Sequence, residues 1–80
     1  MSPYFRAEFP LSTPVKDIEA LNAAYALEVH RVTQDEEAIV YSLRTTAATG
    51  ISTIDMANIY HEHPLTTRAY PLFWAVDIVS

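Results

Sequence analysis

The chain has 80 residues, no cysteine, one glycine, and a net charge of −5 from ten acidic and five basic side chains. A chain of that length folds as one domain with a small core, so residues 1–80 are taken together. The missing cysteines exclude a disulfide framework and a thiolate metal site, and the acidic balance argues against direct nucleic-acid binding.

The opening segment has no apolar leader-like run, and no stretch reaches membrane length. A cytoplasmic protein without membrane association is expected.

Residues 4–9 alternate, with Phe5, Ala7 and Phe9 on one side and Tyr4, Arg6 and Glu8 on the other. This predicts a strand with one buried face, ended by Pro10. Ser12-Thr13-Pro14 then predicts a helix start. Thr13 is the expected cap and Pro14 the first helical residue, where its missing N–H costs nothing. Val15, Ile18, Leu21 and Tyr25 follow helical spacing and are expected to face the core, with the helix fading at Asn22-Ala23-Ala24.

From 25 to 32 the period returns to two. Leu27 and Val29 fall on one face, Glu28, His30 and Val32 on the other. A polar connection over 33–37 leads to a strand at 38–45, whose Ile39, Tyr41 and Leu43 share a face. Two strands joined this way predict an antiparallel hairpin. Without a glycine in the connection, a tight two-residue turn is not expected.

Beyond a small-residue loop around Gly50, Ser52 and Asp55 resemble a capping box, with Ile51 and Met56 at its staple positions. Ile54, Ala57, Ile59 and Tyr60 predict the apolar stripe of a second helix. Pro64 stops it after His61 and His63, which suit its negative end. Residues 65–70 read as a connection, and Pro71 leads into a last strand at 72–79. That strand has one wholly apolar face, Leu72, Trp74, Val76 and Ile78. The other, Phe73, Ala75, Asp77 and Val79, is apolar except for Asp77. A strand apolar on both sides is usually covered on both, and a short chain has little left to cover the second. This points to a partner, either another copy or another molecule; scattered apolar surface is the plainer alternative.

The order strand, helix, strand, strand, helix, strand resembles the ferredoxin-like architecture in element pattern along the whole chain. The resemblance implies an α+β fold: a four-stranded antiparallel sheet, two helices on one face, and strand order 4-1-3-2. It carries no motif and no function. One sheet face is left open. From the first two strands it is expected to hold Tyr4, Arg6, Glu8, Glu28, His30 and Val32. From the last two it takes Val40, Ser42, Arg44, Phe73, Ala75, Asp77 and Val79. Arg6, Glu8, Glu28 and Arg44 are able to pair across strands there.

Asp35-Glu36-Glu37 at the hairpin tip is the sharpest charge feature. It suits a basic surface, although most acidic turns are merely solvated. His61-Glu62-His63 lacks the i, i+4 spacing that brings two histidines together on a helix, so a dipole-complementing helix end outweighs a metal site. No cysteine nucleophile, glycine-rich phosphate loop or Ser-His-Asp signature is present, and His30 with neighbouring carboxylates is the one acid–base combination worth naming. Base stacking on Tyr4 and Phe73 is opposed by the sign of the charge.

The expectation is a non-enzymatic module without cofactor that binds and modulates another protein bearing a basic surface. It would use Asp35, Glu36, Glu37, Tyr4, Glu8, Glu28, Phe73, Asp77 and Val79. Phage-type antagonists, anti-CRISPR-like inhibitors and antitoxin-like proteins share its size and charge, with acidic mimicry of nucleic acid as one route. The alternative is a dimeric ferredoxin-like enzyme or ligand-binding domain with its site on the open sheet face; a third is a structural subunit.

Overall fold

The computed structural model describes residues 3–72. Its first strand, β1 (Tyr4–Pro10), buries Phe5, Ala7 and Phe9 completely, as period-two alternation demands of a strand with one face in the core. The remaining elements follow as α1 (Val15–Ala24), β2 (Glu28–Gln34), β3 (Ala38–Arg44), α2 (Thr53–Glu62) and β4 (Arg68–Pro71). The four strands form one antiparallel sheet in the order β2-β3-β1-β4, the ferredoxin-like βαββαβ arrangement. Phe5, Ala7, Phe9, Ile39, Tyr41 and Leu43 form the inner face of this sheet. Ile18 of α1 and Met56, Ala57 and Tyr60 of α2 complete the core above it. Both helices therefore cover one face, and the other is open among the described residues. No helix among the described residues is long and apolar enough to cross a membrane.

The fourth strand lies beside β1, as expected, but is built from other residues. The spacing predicts a connection at 65–70, whereas the edge strand here is Arg68–Pro71, with Arg6 opposite Tyr70 and Glu8 opposite Arg68. The register faces Ala69 toward the core opposite Ala7, and the Leu72 N–H extends the pairing to the Tyr4 carbonyl. An edge strand that turns only Ala69 and Pro71 inward needs no apolar run, so alternation does not reveal it. The predicted strand at 72–79 falls, from Phe73 onward, outside the described residues, and with it Phe73, Asp77 and Val79.

The α1 start also differs. Pro14 is the N-cap itself and makes no side-chain cap, and Thr13 is a buried loop residue whose N–H donates to the Pro10 carbonyl. Proline has no N–H to offer, so it loses nothing at either position. Val15, expected in the core, is half exposed; the inward stripe is Ile18 and Asn22, with Leu21 and Tyr25 packed at its margin. Asn22 does not end the helix. It is buried, and its Oδ1 accepts the Tyr60 hydroxyl at 2.6 Å. In α2 the Ser52 hydroxyl accepts from the Asp55 N–H, as the capping pattern predicts, while Ile54 turns outward and Met56 takes its inward place.

The α1 C-terminus closes by a Schellman arrangement. The Ala26 N–H reaches the Ala23 carbonyl and the Leu27 N–H reaches the Asn22 carbonyl. The residue that must turn left-handed is Ala26, at φ 55°. A Cβ is disfavoured there by about 1–2 kcal/mol. Thr46 and Thr49 hold the strained residue by donating their hydroxyls to its carbonyl at 2.8 and 3.3 Å. Ala26→Gly is accordingly expected to stabilise the fold by about 1 kcal/mol, less the extra chain entropy of glycine. Urea denaturation checks this, and a destabilised variant would show that the alanine methyl is packed rather than strained.

Candidate functional site

The open sheet face is assembled by register, since residues directly opposite on neighbouring strands share a face. Arg6 lies opposite Ser42, and Ser42 lies opposite Arg31. Next to this row, Tyr4, Arg44 and Glu28 line up across the same three strands. On the other side the row is Glu8, Val40 and Thr33.

Arg31 is on this face because of a β-bulge. The β2–β3 register slips between Val29 and Arg31, leaving His30 as the extra residue. Uninterrupted alternation puts Val32 on the open face. The bulge instead sets Val32 opposite the inward-facing Tyr41, and Arg31 opposite Ser42. A bulge inverts the sidedness of everything beyond it. Val32 is thus on the helix side, though nearly half exposed because β2 is an edge strand with all seven residues exposed.

A cleft of about 250 Å³ opens here, lined by Tyr4, Arg6, His30, Arg31, Ser42 and Leu72. Ser42 is only 7% exposed and forms the floor. The rings of Tyr4 and His30 meet at 4.9 Å between centroids, tilted by 56°, and wall one side.

The flanking charges are paired. Arg44 meets Glu28 at 3.3 Å, across the β2–β3 pair. Glu8 meets Arg68 of β4 at 3.0 Å and also accepts the Tyr70 hydroxyl at 3.4 Å, while Arg68 sits over the Tyr70 ring. Glu8 does not pair with Arg6. Among the described residues, Arg6 and Arg31 have no acidic partner.

The acidic hairpin tip is the second feature. Asp35, Glu36 and Glu37 connect the strands, and the Asp35 N–H donates to the Ala38 carbonyl at 3.1 Å, so the hairpin closes around Glu36 and Glu37, a tighter turn than the missing glycine predicts. Asp35 Oδ1 accepts the N–H groups of Glu37 at 2.7 Å and Ala38 at 2.9 Å. These two bonds hold its carboxyl below the usual carboxylate range. Asp35 therefore works within the turn, and Glu36 and Glu37 are the exposed carboxylates that it presents.

The histidine pair at the end of α2 has backbone duties. His63 Nδ1 accepts the Leu65 N–H at 3.1 Å, and His61 Nδ1 accepts the Ala69 N–H at 3.5 Å. His61 ties the end of α2 to β4, His63 holds the turn that follows the helix, and no cluster with the makings of a metal site occurs among the described residues.

Of the residues singled out from sequence, the structure brings Tyr4, Glu8 and Glu28 onto one face and sets Asp35, Glu36 and Glu37 apart at the hairpin end. Sequence reasoning named Arg6 for that face only as a cross-strand partner, and it missed Arg31. A signal existed for Arg31 in the Val29-His30-Arg31-Val32 run, where strict alternation puts the charged Arg31 on the core side with Val29, and Val32 on the open one. Comparison with protein-family models, characterised proteins and solved structures yields no match for this chain.

Proposed function

We propose that this chain is a small acidic, non-enzymatic interaction module that binds and modulates another protein through the end of the β2–β3 hairpin. The observation that carries this reading is the locked tip: Asp35 fastens the turn, so Glu36 and Glu37 are held outward without a counter-charge among the described residues. A preordered loop loses little conformational entropy on binding, and clustered carboxylates steer toward a basic surface. Val29 and Val32, 45% and 48% exposed on the adjoining strand, supply apolar area beside the charge. The outer edge of β2 adds a route for strand pairing, limited by the bulge to residues 31–34. The kinship of size and charge with phage-type antagonists and antitoxin-like proteins supports inhibition as the outcome of binding, by presenting carboxylates where a nucleic-acid backbone sits. A cytoplasmic site of action belongs to the same reading.

The test is a quantitative pull-down from native lysate with the wild-type chain and with Glu36→Gln/Glu37→Gln, keeping Asp35 because the turn depends on it. Capture of one basic protein is expected at low salt, with loss in the double variant and at high salt, while the circular dichroism spectrum stays unchanged. Undiminished capture by the double variant removes the tip from the interface. A second reading, ligand binding on the open sheet face, is favoured by the cleft over Ser42. Molar mass by light scattering on a sizing column separates a self-associating dimer from a monomer with both surfaces free.

A further inference from the structure

We infer that the cleft on the open sheet face is a binding site for a small phosphorylated molecule, with its phosphate monoester held between Arg6 and Arg31 above Ser42. This extends the second reading above and is independent of the acidic tip.

The register places the groups. Arg6 and Arg31 are both opposite Ser42, one on each neighbouring strand. Their backbones are two strand spacings apart, about 10 Å, and share a face. The residue between them is small, so two long side chains lean over a low floor. The bulge at His30 brings both His30 and Arg31 to the cleft, which a regular strand does not do.

Charge selects the ligand. In a chain of net charge −5, Arg44 and Arg68 are matched to carboxylates, yet Arg6 and Arg31 line one cleft without one among the described residues. Two like charges converging on one site repel unless an anion lies between them. A carboxylate is satisfied by a single guanidinium fork. Two forks and a hydroxyl match a group with three acceptor oxygens and nearly two negative charges, which is a phosphate monoester.

Size and surroundings exclude a polymer. The cleft, about 250 Å³, lies below the range of roughly 300–1,000 Å³ typical of ligand pockets. It takes the phosphate and the first atoms of its carrier, against the Tyr4 and His30 rings. A nucleic-acid backbone needs a continuous basic track, and here the rows on either side carry Glu28 and Glu8.

The experiment is an amide NMR titration of the whole chain with glucose 6-phosphate, inorganic phosphate, glucose and acetate. Saturable shifts at Arg6, Arg31 and Ser42 are expected with glucose 6-phosphate, more weakly with inorganic phosphate, and not with glucose or acetate. Arg6→Gln and Arg31→Gln should each weaken binding at least about tenfold, the loss of one charge-assisted fork. Arg44→Gln, outside the cleft, and the Glu36→Gln/Glu37→Gln tip variant should not. All five positions are at the surface, and retained dispersion of the amide spectrum certifies folding. No saturable response to either phosphate overturns the site. Equal binding of acetate overturns the phosphate class, and equal binding of inorganic phosphate overturns the organic carrier. Loss in the tip variant alone would place the effect at the hairpin.

Discussion

Tyr60→Ala is expected to leave much of the chain unfolded at 25 °C. Tyr60 is fully buried, and its ring makes edge-on contacts with Phe5 at 5.2 Å and Phe9 at 6.5 Å, with Tyr25 at 6.4 Å. It joins α2 to the central strand and, through its hydroxyl, to Asn22 of α1. Truncating a core aromatic costs about 3–5 kcal/mol. A domain of this size has about 4–12 kcal/mol in all. Tyr60→Phe keeps the ring and isolates the hydrogen bond. Asn22 Nδ2 is already buried without a partner, so removing the phenol leaves both polar atoms of that amide unmatched. The expected loss is about 1–3 kcal/mol. Urea denaturation followed by circular dichroism measures both variants. Tyr60→Phe within 0.5 kcal/mol of wild type, about the ordinary scatter of a neutral surface change, would show that the bond contributes little.

Alkaline pH should unfold the wild type by the same residue. Burial, with Tyr25 adding to it, pushes the Tyr60 phenol well above its ordinary value near 10. Above that value the unfolded chain releases the proton and the folded chain keeps it, so the unfolded state binds fewer protons and stability falls as pH rises. One such group gives a slope of about 1.4 kcal/mol per pH unit. Below pH 10 its contribution is fully present. Tyr41, raised by burial and by Glu19, adds to the decline. Stability measured from pH 8 to 11.5 should therefore fall beyond pH 10, and Tyr60→Phe should fall less steeply. Parallel curves for the two proteins would show that Tyr60 ionises normally. At the acid end the sign is opposite. Asp35 is held below its ordinary value by the Glu37 and Ala38 N–H groups, so its support of the hairpin is present above that value and lost as pH falls through the depressed one.

The fold was legible where burial is one-sided. Phe5, Ala7 and Phe9, and again Ile39, Tyr41 and Leu43, alternate because each strand has a single inner face. Ser52 and Asp55 marked a helix start by chemistry local to four residues. Legibility failed where a second element decides the outcome. Val15 and Ile54 carry the right spacing but fall beyond the reach of the sheet, and Asn22 looks like a helix breaker until Tyr60 is brought to it. The acidic tip was visible as a charge run, but the division of labour within it was not. Asp35 became a turn residue and Glu36 and Glu37 the presented pair only when the Glu37 and Ala38 N–H groups came into reach.

By itself the sequence determined the order of elements, the central strands, the net charge and the absence of thiolate chemistry. Periodicity, composition and capping are properties of neighbours along the chain. Tertiary structure alone decided the anion cleft, the edge strand at Arg68–Pro71 and the partners of Glu8 and Asn22. Each depends on register between segments far apart in the chain. One extra residue at His30 turns Arg31 from one face of the sheet to the other, and the pairing with β3 is what places that extra residue.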